Sequence, residues 1–157
     1  MGAHGDLMII RILVAISVVV FVASADEGET RTSFQSLPPA VQQAAKEQSK
    51  GAKVHGYSKE SEGGKTYYEV ELSQAGKTKD VLLDSSGKVV EVEQQVSLAS
   101  LPPAVKDGLQ KQAAKGKILK VEQVSKGDAI SYEALVSSGH KQREISVDGN
   151  GNATEPD

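Results

Sequence analysis

The hexapeptide Ser-Leu-Pro-Pro-Ala-Val stands at residues 36–41 and returns at residues 100–105. Residues 36–93 laid over 100–157 without a gap give 17 identical pairs in 58 positions, so the chain contains a duplication. The identities gather in the hexapeptide, in Tyr68-Glu69 over Tyr132-Glu133, and in Asp84 and Gly87 over Asp148 and Gly151. A 64-residue period is too long for a solenoid unit and suits a small domain made twice.

Each repeated motif has a local meaning. Proline lacks an N–H and holds φ near the helical value, so Pro38-Pro39 and Pro102-Pro103 belong at helix starts. After them Val41, Ala44, Ala45 and Gln48 recur at helical spacing, matched by Val105, Gly108, Leu109 and Gln112 or Ala113. The period then changes to two. Tyr68, Val70 and Leu72 alternate with Tyr67, Glu69 and Glu71, and Tyr132, Ala134 and Val136 repeat the inward phase. Val81 and Leu83 point inward with Leu82 outward, Asp84 to Lys88 makes a turn, and Val90 and Val92 point inward from the strand that follows. A first strand is expected over Lys53 to Lys59.

The expected fold class is therefore α+β: a tandem repeat of a helix followed by a three- to four-stranded antiparallel sheet, with the helix on one sheet face. The expected boundaries are a signal peptide over 1–25, a disordered leader over 26–35, a first repeat over 36–96, a linker over 97–99, and a second repeat over 100–157. That second copy has a truncated last strand and a tail. The signal reading rests on Arg11, the apolar run Ile12 to Val22, and Ala23-Ser24-Ala25 before Asp26. An uncleaved anchor remains open, because residues 7–10 extend the apolar run before Arg11.

Composition excludes several function classes. A net charge of -3 offers no basic footprint for nucleic acid. No cysteine occurs, which removes disulfides, thiolate chemistry and cysteine-based zinc sites. His55 and His140 occupy different places in the two repeats, and neither has a serine or carboxylate at a catalytic spacing. Asp148 to Asn152 begins like a calcium loop, but Ala153 replaces the required glycine and no bidentate glutamate follows, so it reads as a tight turn. No metal site and no cofactor are expected, and the chain is not read as an enzyme.

The proline helix start at Leu37 and Leu101, the strand Tyr68 to Leu72 and the hairpin Val81 to Val89 together resemble the PepSY family and its beta-lactamase-inhibitor-like branch, in two copies. The resemblance implies a periplasmic or secreted, non-enzymatic domain. In the tandem inhibitor of that branch, two such units set their sheets side by side as a concave protein-binding surface. That inhibitor uses disulfides and many exposed aromatics, whereas this chain has no cysteine and 4% aromatic residues. PepSY domains in peptidase prosegments imply a protein partner such as a peptidase, with no membrane contact after signal cleavage.

The functional content then lies in the sheet face that the helices leave open. Tyr67, Glu69, Glu71, Leu82, Glu133 and Leu135 are expected there, joined by Tyr57, Leu119 and Val121 if the first strands align in simple alternation. The expected activity is inhibition or modulation of a peptidase or other envelope protein by steric occupation. The alternative is a periplasmic sensor or carrier of a small ligand or metal ion, with Glu69, Glu71 and Glu133 as acidic contacts.

Overall fold

The computed structural model describes residues 29–156. The expected signal peptide and its cleavage point lie outside the described residues. Each proline pair does start a helix: Pro38 and Pro102 are extended N-caps, and α1 (Pro39–Gln48) and α2 (Pro103–Ala113) follow. The cap carbonyls accept the first helical bonds, from Gln42 N–H at 2.9 Å and Lys106 N–H at 3.0 Å. Among the described residues no helix is long and apolar enough to cross a membrane.

The strands are β1 (Thr30–Thr32), β2 (Lys53–Glu62), β3 (Lys65–Gln74), β4 (Lys77–Asp84) and β5 (Val89–Gln95), then β6 (Lys117–Lys126), β7 (Ala129–Ser138), β8 (Lys141–Asp148) and β9 (Ala153–Thr154). They form one nine-stranded sheet in sequence order, every neighbouring pair antiparallel. This overturns the expected pair of small helix-plus-sheet units. β5 does not end as a free edge but pairs with β6, Val92 opposite Ser125 and Gln95 opposite Glu122. The physical reason is that an edge strand presents a row of unsatisfied N–H and C=O groups, and the second copy's first long strand satisfies them.

The expected leader and linker are also structured. Thr30–Thr32 pairs with β2, and single 3-10 turns span Phe34–Ser36 and Leu98–Ser100. Glu29 and Ser33 recur 64 residues later as Glu93 and Ser97, so β1 and the end of β5 occupy the same place in their repeats. One strand thereby closes the first copy and opens the second.

The apolar cores remain separate, one under each helix and both on the same side of the sheet. The first gathers Leu37, Val41 and Ala45 against Val70, Leu72, Val81 and Leu83. The second gathers Leu101, Val105, Leu109 and Ala113 against Val121, Ala134, Val136, Ile145 and Val147. Tyr68 and Tyr132 pack against these cores, in the inward phase their repetition predicts. Val90 does not take its expected inward place: a bulge at Leu82/Leu83 brings Val89 opposite Leu83 and packs Val89 on the core instead. In both hairpin turns an aspartate accepts from backbone N–H groups, Asp84 from Ser86 and Lys88 and Asp148 from Asn150 and Asn152. Gly87 and Gly151, each at φ +81°, lie against the carbonyls of Ala40 and Ala104 and tie the turns to the helices.

Candidate functional site: the sheet face opposite the helices

Because successive strand residues face opposite sides, burial of Val70, Leu72, Val81 and Leu83 under α1 fixes what the other face carries. β3 turns Tyr67, Glu69 and Glu71 outward, and β4 sets Leu82 opposite Glu69 and Asp80 opposite Glu71. β5 adds Glu91 opposite Leu82 and Glu93 opposite Asp80. Across the seam β6 places Glu122 on the same face, opposite Gln95. Glu122 in turn faces Glu133 on β7, Glu133 faces Ser146 on β8, and Leu135 faces Glu144. The result is one acidic field drawn from both repeats.

Of the expected contact residues, Tyr67, Glu69, Glu71, Leu82, Glu133 and Leu135 share this face. Tyr57 and Val121 do not. A bulge at Val54/Gly56 in β2 and another at Ile118/Lys120 in β6 each insert one residue, which reverses the side on which everything beyond it points. Tyr57 therefore packs on the first core, its ring 5.7 Å from that of Phe34, and Val121 is buried in the second. Leu119 is the inserted residue of the second bulge and is 45% exposed.

The carboxylates are crowded and poorly hydrated. Glu71, Glu91, Glu122 and Glu133 are buried although α1 and α2 lie on the other side, as are Ser58 and Ser146. Among the described residues, cations from three strands lie among them. Arg31 Nη1 reaches Glu71 Oε1 at 2.5 Å, Lys120 Nζ reaches Glu122 Oε1 at 2.6 Å, and Lys126 Nζ lies 3.3 Å from Glu91 Oε2. Gly56 makes room for the first pair, since a side chain there would strike the Arg31 guanidinium. The Ser58 hydroxyl donates to Glu69 Oε2 at 3.2 Å.

Burial pushes the Glu69 carboxyl up to about 8, and the charges of Asp80, Glu29, Glu93 and Glu71 push the same way. Asp80 rises to about 7, first by burial and then by Glu93 and Glu122, with Lys120 opposing. Glu144 rises to about 7 by burial, then by Glu93 and Glu122, with Lys120 again opposing. The acids of the two repeats thus act on one another across the β5–β6 seam.

Oxygens of Asp80, Glu93 and Glu122 lie within 4.8 Å of one another. Lys120 meets this trio, its ammonium holding Glu122 alongside the Thr78 hydroxyl at 3.4 Å. A hollow beside it is lined by Glu69, Asp80, Leu82, Glu91 and Glu93. His55 bonds the Ser73 hydroxyl through Nε2 at 2.7 Å, and His140 is exposed in the β7–β8 turn, so the face brings neither histidine to the carboxylates. The Asp148 carboxylate is spent on its own turn, accepting from both Asn152 nitrogens and from Asn150 N–H.

A family model described as "Putative beta-lactamase-inhibitor-like, PepSY-like" matches residues 25–91 and again 66–154, two overlapping copies that together span most of the sequence. The chain belongs to the PepSY-like family. Solved structures share the fold of this PepSY-like chain. A BLIP-like protein from Bacteroides fragilis is 20% identical with a TM-score of 0.57, over 76% of this chain and 84% of that one. A DUF2874 family protein from Bacteroides ovatus is 21% identical with a TM-score of 0.59, over 76% and 86%. A protein of Bacteroides eggerthii described as "putative periplasmic" is 18% identical with a TM-score of 0.63, over 76% and 86%. No curated protein matches the chain.

Sequence reasoning missed Asp80, Glu91, Glu93, Glu122 and Glu144 as members of the face. The alternation Glu91-Val92-Glu93 carried the signal for two of them, but the bulge beside it hides the phase. That both repeats feed one field depends on β5 pairing with β6, which no local pattern encodes.

Proposed function

We propose that this PepSY-like chain is a non-enzymatic binding protein of the periplasm or the secreted space, and that the sheet face opposite α1 and α2 holds a positively charged segment of another protein. The observation that carries this reading is the acidic field itself: buried carboxylates from β3 to β7 on the face opposite α1 and α2, with Arg31, Lys120 and Lys126 among the cations paired with them in the described residues. Buried charge is costly unless it is compensated, and a lysine- or arginine-rich segment supplies the compensation. Tyr67, Leu82 and Leu135 interrupt the acids and offer apolar contact to the stems of such side chains. The family likeness supports a non-catalytic role, and the apolar leader together with the "putative periplasmic" description of a similar structure supports the location. Blocking a peptidase whose cleft is rimmed with basic residues is one form this occupation would take.

NMR shift mapping with a lysine-rich decapeptide tests the reading. Shifts should concentrate on Tyr67, Glu69, Leu82, Leu135 and Ser146 and weaken steeply with salt. Shifts confined to the outer surfaces of α1 and α2, or equal binding of a glutamate-rich control peptide, would refute it.

A further inference from the structure

The pairing register makes β1 and the end of β5 one element built twice. β1 sets Thr30 opposite Lys59, Arg31 opposite Ser58 and Thr32 opposite Tyr57. At the positions 64 residues later β5 sets Gln94 opposite Gln123 and Gln95 opposite Glu122, and Val96 N–H donates to the Val121 carbonyl at 2.9 Å. A 3-10 turn follows each, Phe34–Ser36 and Leu98–Ser100. β9 repeats the beginning of β5 in the same way, Ala153 lying opposite Val147 as Val89 lies opposite Leu83. β1 and β9 are therefore the two halves of β5, carried at opposite ends of the nine-stranded sheet. In the middle of the sheet the whole strand bridges β4 and β6, with Val92, Glu93 and Gln94 paired on both sides. Among the described residues, β9 pairs only with Ser146 and Val147, so residues 141–145 of β8 and the outer side of β1 carry no further strand.

We infer that this chain docks head-to-tail on a second copy of itself: β1 of one molecule pairs with the edge of β8 on the next and, together with β9, completes the strand that β5 forms whole. The occupant follows from the pairing of β4 with β5, which is the same junction made inside one molecule. There Lys79 lies opposite Gln94 and Asp80 opposite Glu93, so the equivalent contact between molecules sets Arg143 opposite Thr30 of the next copy and Glu144 opposite Glu29. The pairing is antiparallel like every other in the sheet. Open N–H and C=O groups on an edge strand are a template for a strand of another chain. Charged side chains on an edge usually discourage this, but Lys141 and Arg143 stand where β4 has Lys77 and Lys79, and β4 is paired from Lys79 onward. The acid pair Glu144 and Glu29 likewise repeats one that the sheet already holds, Asp80 and Glu93. Because the two edges differ, the contact does not close as a two-fold dimer and adds molecules in a row. It uses the ends of the sheet and stands independently of the basic segment proposed for its acidic face.

The chain has no cysteine, so introduced thiols read the register directly. Opposed residues of antiparallel strands lie about 4.5 to 5.5 Å apart at Cα, within disulfide range, and a shift of two residues carries them to about 7 to 8 Å, beyond it. Thr30 and Arg143 are both exposed, so replacing them leaves the two cores intact. Thr30→Cys mixed with Arg143→Cys under mild oxidation should give a mixed dimer, several-fold more of it than Thr32→Cys mixed with Arg143→Cys, and more than either single variant gives with itself. A chain carrying both Thr30→Cys and Arg143→Cys should give a ladder of linked species. Sedimentation velocity of the unsubstituted chain, purified after export, should show a mass that rises with concentration past that of a dimer. A mass that stays monomeric at every concentration overturns the inference, and this is also the outcome if residues 1–28 of the same molecule take the edge. A dimer that saturates, or one that links best through Thr30→Cys to Thr30→Cys, overturns it as well by showing a two-fold contact.

Discussion

The free protein should lose stability as pH rises from about 5 to about 8, the reverse of what most carboxylates produce. Glu69 is raised to about 8 and Asp80 and Glu144 to about 7, so in this interval the folded chain binds more protons than the unfolded one. Stability supplied by such groups is complete below their unfolded values, near 4, and is lost as pH climbs through the folded ones. Each independent group would contribute a slope of about 1.4 kcal/mol per pH unit. The three are coupled through Glu93 and Glu122, and each keeps some solvent contact, so their protons leave in shared steps. A net slope of about 1 to 2 kcal/mol per pH unit near pH 6.5 is the expectation, or roughly 3 to 8 °C in Tm for a chain of this size. At the acid end, Asp84 is held below the usual range chiefly by the Ser86 hydroxyl, and Asp148 chiefly by the Asn152 side chain. Their contribution is present above the unfolded value and disappears as pH falls through the folded one, which sets the lower limb of the profile. Thermal unfolding followed by circular dichroism from pH 4 to 8.5 should therefore show a maximum near pH 5, and Glu69→Gln should flatten its alkaline side. A profile that rises between pH 5 and 8, or one unchanged in Glu69→Gln, would show that the face is fully ionised and that burial of these acids is not what the folded chain resists.

Leu109→Ala empties a fully buried site in the second core and should cost about 2 to 5 kcal/mol in urea unfolding. Gly87→Ala should destabilise more than Gly64→Ala: both positions have positive φ, but a Cβ at Gly87 would lie 2.6 Å from the Ala40 carbonyl while one at Gly64 meets nothing within 4 Å. The strain common to both is about 1 to 2 kcal/mol, so the difference between their unfolding midpoints isolates the turn-to-helix contact. Arg31→Ala removes the cation from the buried Glu71 carboxylate and should cost about 1 to 3 kcal/mol, with faster hydrogen exchange at the β2 amides facing Thr30–Thr32.

The helix starts, the inward phase of Tyr68, Val70 and Leu72, the Asp84 and Asp148 turns and the short final strand were legible because each rests on local chemistry: a missing N–H, a period of two, a glycine at positive φ. What was not legible depends on single inserted residues or on pairing between distant strands. His55 and Leu119 each shift the phase by one, which sends Tyr57 and Val121 to the core although the alternation drawn from Lys53 and Lys117 sends them outward. A bulge changes only one hydrogen-bonding position, and no residue type in "KVHGYS" or "KILKVE" demands it.

The duplication has a consequence that neither repeat could supply alone. The residue 64 positions after Ser58 is Glu122, and the one 64 positions after Gly56 is Lys120. In the first copy the cation comes from Arg31 on β1, lying over Gly56, whereas in the second the lysine stands in the glycine's place and carries its own ammonium to Glu122. β5 then occupies in the second copy the position β1 holds in the first, so Glu93 repeats Glu29 and Gln95 repeats Arg31. Where the first copy places a guanidinium, the seam places a neutral amide. Arg31 balances the outer edge of the sheet, and at its centre, where Asp80, Glu93 and Glu122 converge, Lys120 holds Glu122. Joining two copies through one shared strand thus brings carboxylates of both copies together at mid-sheet, where charge is costly to bury unless opposite charge meets it.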